Sequence, residues 1–148
     1  MPTLNDGWLS GFTDAEGSFN INITGRPATK SGFRVQLRYL LDQKNAKLFL
    51  FYIRNLFSHG KVSLRGETKE VYRYTCNTFI GAHSVCNYFH SFPLKTIKAT
   101  SFANWFKVYT MVINKEHLTE EGLDKIRKIK KKVNVINIEA NKIGNAKP

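Results

Sequence analysis

The sequence predicts an α+β fold in which helices cover one face of a four-stranded antiparallel sheet. Five segments carry apolar residues at helical spacing, and four others alternate apolar with polar residues, as strands with one buried face do. Along the chain the order is helix, two strands, helix, two strands and three helices. We expect the 148 residues to form one domain, with a weakly structured tail over about residues 134–148.

The first helix carries two unusual features. Gly7, Gly11 and Ala15 recur every four residues, so they form a smooth stripe that lets a second helix approach closely. Asp14 and Glu16 fall in the last turn, where the negative end of the helix dipole disfavours carboxylates and a cation would offset the cost. Two interpretations stay open: an ordinary amphipathic helix with a surface acidic pair, or a helix that packs on a twin and presents metal ligands.

The remaining elements follow from the same two periods. Gly17 is a natural helix stop, and alternation begins directly after it. We expect strands at Ser18–Thr24, Phe33–Tyr39, Lys61–Arg65 and Val71–Asn77, and helices at Asn45–Phe57, Ile80–His90, Thr96–Asn114 and from Thr119 onward. Loops of Gly and small polar residues separate the strands of each pair, which favours antiparallel hairpins.

The open face of this sheet is predicted to be basic and free of carboxylates. It would carry Ser18, Asn20, Asn22, Thr24, Arg34, Gln36, Arg38, Lys61, Ser63, Arg65, Arg73, Thr75 and Asn77, with the loop residues Arg26, Lys30 and Lys69 beside it. Cations suit phosphates, and amides and hydroxyls can hydrogen-bond base edges in the major groove. The alternative is a plain solvent-facing sheet, on which both signs of charge would be expected.

The net charge also indicates the kind of partner. A formal charge of +12 and a pI near 9.9 favour a polyanion. The basic residues are not gathered on one amphipathic helix, and no apolar run approaches the ~20 residues of a membrane span. We therefore expect double-stranded nucleic acid and no membrane, and we see no targeting segment.

Four segments resemble signatures of the LAGLIDADG homing endonucleases, in the order in which that family carries them. Leu9–Gly17 is similar to the motif that gives the family its name, and Ser18-Phe19 often follows it there. Gln43–Phe49 resembles the start of the family's second helix, and Pro93–Lys98 resembles its Pro-Leu-x-Thr-Lys-Lys segment. Asn114–Thr119, with Gly122-Leu123, resembles a late signature of members encoded in fungal mitochondrial introns.

The resemblance implies an αββαββα fold, in which the motif helices of two domains pack together and two saddle-shaped sheets lie in the DNA major groove. It implies site-specific cleavage of both DNA strands with divalent cations, and oxygen ligands beside a phosphate substrate suit Mg²⁺. It also implies that Glu16 is a metal ligand beside the backbone carbonyl of Ala15. Asp14 matches a position usually regarded as structural, near the interface.

The resemblance implies three further active-site residues. Gln43 and Lys47 match positions that orient solvent and metal-bound water or stabilise charge around the cleaved phosphate. Lys98 matches the active-site lysine. Because Ile97 stands where the family often has a lysine, Lys95 is the substitute candidate.

A single motif in the chain implies a homodimer, since monomeric members carry two. Gly7, Gly11, Asp14 and Ala15 would then form the interface, and the target would be a long pseudo-palindromic duplex. Two alternatives stay open: an intron maturase that grips RNA with the same fold, and one half of a two-domain monomeric endonuclease. By resemblance the compartment would be the mitochondrial matrix, with the protein encoded in the organelle.

Overall fold

The computed structural model describes residues 3–29, 31–65 and 70–145, with side chains described up to residue 138. The helices are α1 (Trp8–Glu16), α2 (Lys47–Phe57), α3 (Phe79–Ser91), α4 (Lys98–Ile113) and α5 (Glu120–Asn145), and the strands are β1 (Gly17–Gly25), β2 (Phe33–Lys44), β3 (Lys61–Leu64) and β4 (Val71–Cys76). A short 3-10 turn at Glu116–Leu118 precedes α5. The predicted α+β class and element order are confirmed.

The four strands form one antiparallel sheet in the order β1-β2-β4-β3. β1 pairs with β2 along its whole length, from Gly17 opposite Leu41 to Gly25 opposite Phe33. β4 pairs only with the second half of β2, from Tyr39 onward. The tip of the β1–β2 hairpin therefore projects beyond the other two strands. All four strands lie side by side only at the opposite end of the sheet, where β1 begins after α1.

An aromatic core joins the sheet to the helices. Phe19, Tyr39 and Tyr74 come from three strands, and their rings contact one another or Phe89 of α3 and Trp105 of α4 at centroid distances of 5.4–6.2 Å. All five side chains are at most 2% exposed. Since each such ring buries roughly 150–250 Å², this layer ties the sheet to the helical side and leaves the opposite face open.

β2 extends five residues beyond its predicted end, from Tyr39 to Lys44. Leu40 and Leu41 break the alternation of apolar and polar residues, yet both are buried, and pairing with β4 continues past them. The extension adds Asp42 to the open face, because side chains of a strand alternate between faces and Asp42 shares the parity of Arg38.

α5 also runs further than predicted. It continues to Asn145, so the backbone is helical over residues 134–145, where a weakly structured tail was expected. Val133 is fully buried, and the amide of Asn137 donates to the carbonyl oxygen of Phe19 at 3.2 Å. This anchor is a polar contact with β1, which apolar spacing does not reveal. Within the described ranges, no helix has the length and apolar character needed to cross a bilayer.

Candidate active site and nucleic-acid interface

The outer side of α1 is a bare stripe. Leu9 and Thr13 are buried against the domain, whereas Gly7, Gly11 and Ala15 are exposed. A Cβ added at Gly11 would meet no atom within 4 Å. The stripe predicted from the sequence therefore lies on the outer surface and carries no side chain larger than a methyl group, which is the geometry that close helix–helix packing needs.

The two carboxylates at the end of α1 have different environments. Asp14 accepts the backbone N–H of Lys95 at 3.0 Å, the backbone N–H of Thr96 at 3.1 Å and the Thr96 hydroxyl at 2.6 Å. Glu16 is exposed, and its side chain forms no hydrogen bond or ion pair with the residues that the structure describes. Asp14 thus binds α1 to the segment before α4, while the Glu16 oxygens remain available to a ligand.

One lysine reaches the end of α1. The Lys98 ammonium donates to the carbonyl oxygen of Thr13 at 3.3 Å. That oxygen also accepts the backbone N–H of Gly17, which ends the helix. Among the described residues, the contact of Lys95 with the same region is made by its backbone N–H, which donates to Asp14. Of the two candidate lysines, Lys98 is the one whose ammonium contacts α1 near Glu16.

Gln43 and Lys47 lie at the same end of the sheet. Gly17, the residue after Glu16, is opposite Leu41, and Gln43 is two residues further along β2. Tyr72 is the partner of Gln43 in β4, and the Lys47 ammonium lies 5.8 Å from the centroid of its ring. The strand register therefore brings the predicted site residues of α1, β2, α2 and α4 to one end of the domain.

The predicted nucleic-acid face is assembled in cross-strand rows. Described residues of the predicted set share this face in the pairs Thr24–Arg34, Asn22–Gln36, Asn20–Arg38, Thr75–Lys61 and Arg73–Ser63, with Ser18 opposite Leu40. Arg38 donates through Nε to the Gln36 amide oxygen at 2.9 Å, which holds both side chains over the sheet. Lys30 and Lys69 lie outside the described residues.

The prediction that this face carries no carboxylate is wrong. Asp42 lies on it and accepts two hydrogen bonds from Arg73, one from Nε at 2.7 Å and one from Nη2 at 3.0 Å. Arg65 Nη1 lies 3.3 Å from the same carboxylate. Hydrogen bonding to Asp42 raises the pKa of the Arg73 guanidinium. The error arose because β2 was predicted to end at Tyr39. The strand continues to Lys44, and its pairing with β4 places Asp42 opposite Arg73 on the open face.

The part of the chain that the structure describes does not contain a complete metal centre. Among the described residues, no three His, Cys, Asp or Glu side chains converge. Glu16 offers a carboxylate with no competing donor in the described part. The carbonyl oxygen of Ala15 belongs to the last turn of α1, where carbonyls lack partners within the helix. These oxygen donors fit a hard divalent cation.

Comparisons with known proteins show the family of this chain. The sequence profile described as "LAGLIDADG endonuclease" matches residues 9–109. The chain therefore belongs to the LAGLIDADG endonuclease family.

Two curated relatives come from fungi. "Probable intron-encoded endonuclease 4" of Neurospora crassa is 37% identical over 133 residues, which are 90% of this chain and 24% of that protein. The "cox1 intron-2 37.2 kDa protein" of Schizosaccharomyces pombe is 37% identical over 84% of this chain and 37% of that protein. The chain thus spans 24% of the length of the first relative and 37% of the second.

Solved structures share the fold. The homing endonuclease I-TnaI superposes with a TM-score of 0.77 at 27% identity, over 90% of this chain and 95% of that one. I-LtrWI, solved bound to target DNA, superposes with a TM-score of 0.79 at 31% identity, over 84% of this chain and 42% of that one. This chain therefore corresponds to nearly all of one relative and to less than half of the other.

Proposed function

We propose that the chain is a metal-dependent, site-specific endonuclease of double-stranded DNA that acts when two LAGLIDADG domains pair through α1. The observation that carries the proposal is the end of α1: Glu16 has no partner among the described residues, and the bare stripe lies on the same helix. Pairing two such helices brings two Glu16 carboxylates together.

The cation follows from the donor set. Carboxylate and carbonyl oxygens beside a phosphate substrate suit Mg²⁺. Two Glu16 side chains would hold the cation, and the chemistry it would supply there is neutralisation of the negative charge that develops on the phosphodiester oxygens. The chain's own residues do the positioning: Lys98 supplies a positive charge beside Glu16, and Gln43 and Lys47 orient solvent at the same end.

A second copy of this chain is the proposed partner domain. I-TnaI is matched over 95% of its length by this single domain, whereas I-LtrWI is matched over 42%. The small residues of the stripe are exposed, so it can pack against its own copy across a two-fold axis. The dimer would carry twice the +12 of one chain, so its DNA binding should weaken steeply with salt. Its target would be pseudo-palindromic.

The sheet face is the proposed DNA reader. Arg34, Gln36 and Arg38 alternate cations with an amide along β2, and β1 adds hydroxyl and amide groups beside them. The hairpin has a shape that the major groove accepts. I-LtrWI, which is 31% identical, was solved bound to target DNA, which supports this use of the face. Relatives named for introns of cox1 and ND4 support production in the mitochondrion.

Glu16→Gln tests the proposal. A target is first selected by cleavage of a random duplex library with Mg²⁺, and the mass of the protein on and off DNA gives the number of copies bound. Glu16→Gln should abolish cleavage and keep DNA binding, because the amide retains size but loses the charge that holds the cation. Glu121→Gln, which removes an exposed carboxylate from α5, is the matched control and should cleave normally.

Two outcomes would contradict the proposal. Cleavage by Glu16→Gln at the wild-type rate would remove Glu16 from the chemistry. A protein that stays monomeric on a cleaved target would reject the homodimer. Excess structured intron RNA is included as competitor in the binding assay, and preferential binding of that RNA over the duplex would indicate a maturase instead.

A further inference from the structure

Asp42 and Arg73 form a side-on ion pair on the open face. Arg73 donates through Nε to Oδ1 of Asp42 at 2.7 Å and through Nη2 to Oδ2 at 3.0 Å. The two residues are opposite each other in the register of β2 and β4. The Asp42 side chain is 25% exposed and the Arg73 side chain 31%, so both are partly covered by their surroundings. This pair holds the guanidinium in a defined plane.

Within the described part of the chain, one edge of the Arg73 guanidinium has no hydrogen-bond partner. A guanidinium carries five N–H donors in a planar fork: one on Nε and two on each Nη atom. Asp42 accepts the Nε–H and one N–H of Nη2. The edge between Nη1 and Nη2 still offers two parallel donors. Two parallel donors are the arrangement that binds O6 and N7 of guanine in the major groove. Holding the fork in advance also reduces the conformational entropy lost on binding.

The Asp42–Arg73 pair lies at the end of the sheet where β1 begins, directly after Glu16. Asp42 comes directly after Leu41, which is opposite Gly17, the residue after Glu16. The hairpin tip, with Thr24 opposite Arg34, is at the other end of β1. A base contacted by Arg73 would therefore lie in the inner part of a half-site, toward the cleaved phosphates.

We propose that Asp42 is a positioning residue that holds Arg73 to read a guanine in the inner part of each half-site. The proposal rests on the proposed function, because it needs the sheet to lie in the major groove. Simple electrostatics predicts something different for Asp42. A carboxylate on a DNA-binding face repels phosphates, so its removal would raise affinity for all sequences alike.

The test measures base preference position by position. Duplexes in which each base pair of the selected target is replaced in turn are titrated with wild type and variants. Asp42→Ala should lose about tenfold of discrimination at one G·C pair per half-site, while preferences elsewhere persist and affinity for random DNA stays equal or rises. Arg73→Lys keeps the charge without the planar fork and should lose preference at the same pair.

Glu70→Gln is the matched control. It removes a carboxylate near the same end of the sheet, where Glu70 lies 3.3 Å from the Lys44 ammonium and both side chains are exposed. Its base profile should match that of wild type. If Asp42→Ala melts at a much lower temperature, Asp42→Asn, which preserves the side-chain shape, is titrated instead and should show a loss at the same pair.

The results separate this proposal from the one on which it rests. An unchanged base profile, a uniform rise in affinity, or a loss spread over many positions would overturn the role of Asp42 while leaving DNA cleavage intact. Absence of DNA binding by the wild-type protein would overturn the proposed function, and the reading by Arg73 with it. Loss confined to one G·C pair, shared by Asp42→Ala and Arg73→Lys, supports the proposal.

Discussion

Replacing Asp14 by alanine should destabilise the folded chain by about 2–4 kcal/mol. The carboxylate accepts the backbone N–H groups of Lys95 and Thr96 and the Thr96 hydroxyl, at 2.6–3.1 Å. A hydrogen bond to a charged group contributes about 1.5–3 kcal/mol, so three of them contribute roughly 4.5–9 kcal/mol when fully shielded. Lys95 and Thr96 are exposed, so water recovers about half of this once the carboxylate is gone.

Urea unfolding followed by far-ultraviolet circular dichroism measures this loss. The melting temperature should fall by about 4–16 °C, since 1 kcal/mol corresponds to roughly 2–4 °C for a chain of this size. Asp124→Ala is the control, because Asp124 forms only an exposed ion pair with Arg127 on α5 and should cost less than about 0.5 kcal/mol. If Asp14→Ala costs no more than Asp124→Ala, the anchoring role of Asp14 is refuted.

Two further predictions concern α1 and the cysteines. Gly11→Ala should stabilise the isolated chain by about 0.5–1 kcal/mol, because the added methyl group meets no atom of the chain and alanine favours a helix. The same methyl group should weaken self-association through the stripe. Thermal melting measures the first effect and sedimentation the second, and unchanged association would argue against the stripe as the interface. Cys76 and Cys86 should resist iodoacetamide at pH 8 in the native state, because burial raises the pKa of both thiols, that of Cys86 to about 12. Mass spectrometry with and without urea measures this, and equal labelling in both conditions would contradict it.

Local periodicity was sufficient for the element order but not for the full length of β2. Alternation predicts strands wherever one face is polar throughout, as in β1. Leu40 breaks that rule, because it is a buried apolar residue on the open face and has Thr75 as its partner in β4. The strand therefore seemed to end before Asp42, and the one described carboxylate that contacts Arg73 was missed. Only the pairing with β4 reveals it.

The candidate site was predictable by resemblance, but its geometry was not. The family pattern favours Lys98 as the active-site lysine and keeps Lys95 as a substitute, but it gives no contact for either side chain. The choice depends on a contact between residues 85 positions apart in the chain, Lys98 and Thr13. Likewise, the Asn137 amide donates to the Phe19 carbonyl oxygen and to the Asn20 side chain, and no periodic pattern predicts these contacts between α5 and β1.

The end of α1 separates stability from chemistry within one turn of helix. Both carboxylates face the negative end of the helix dipole, which costs stability unless donors compensate. Asp14 is compensated by the donors of residues 95 and 96, whereas Glu16 has none among the described residues. Glu16→Gln should therefore leave the free energy of unfolding unchanged or raise it slightly, while Asp14→Ala lowers it. A destabilised Glu16→Gln would show that Glu16 supports the fold, and its loss of cleavage would then say nothing about a cation.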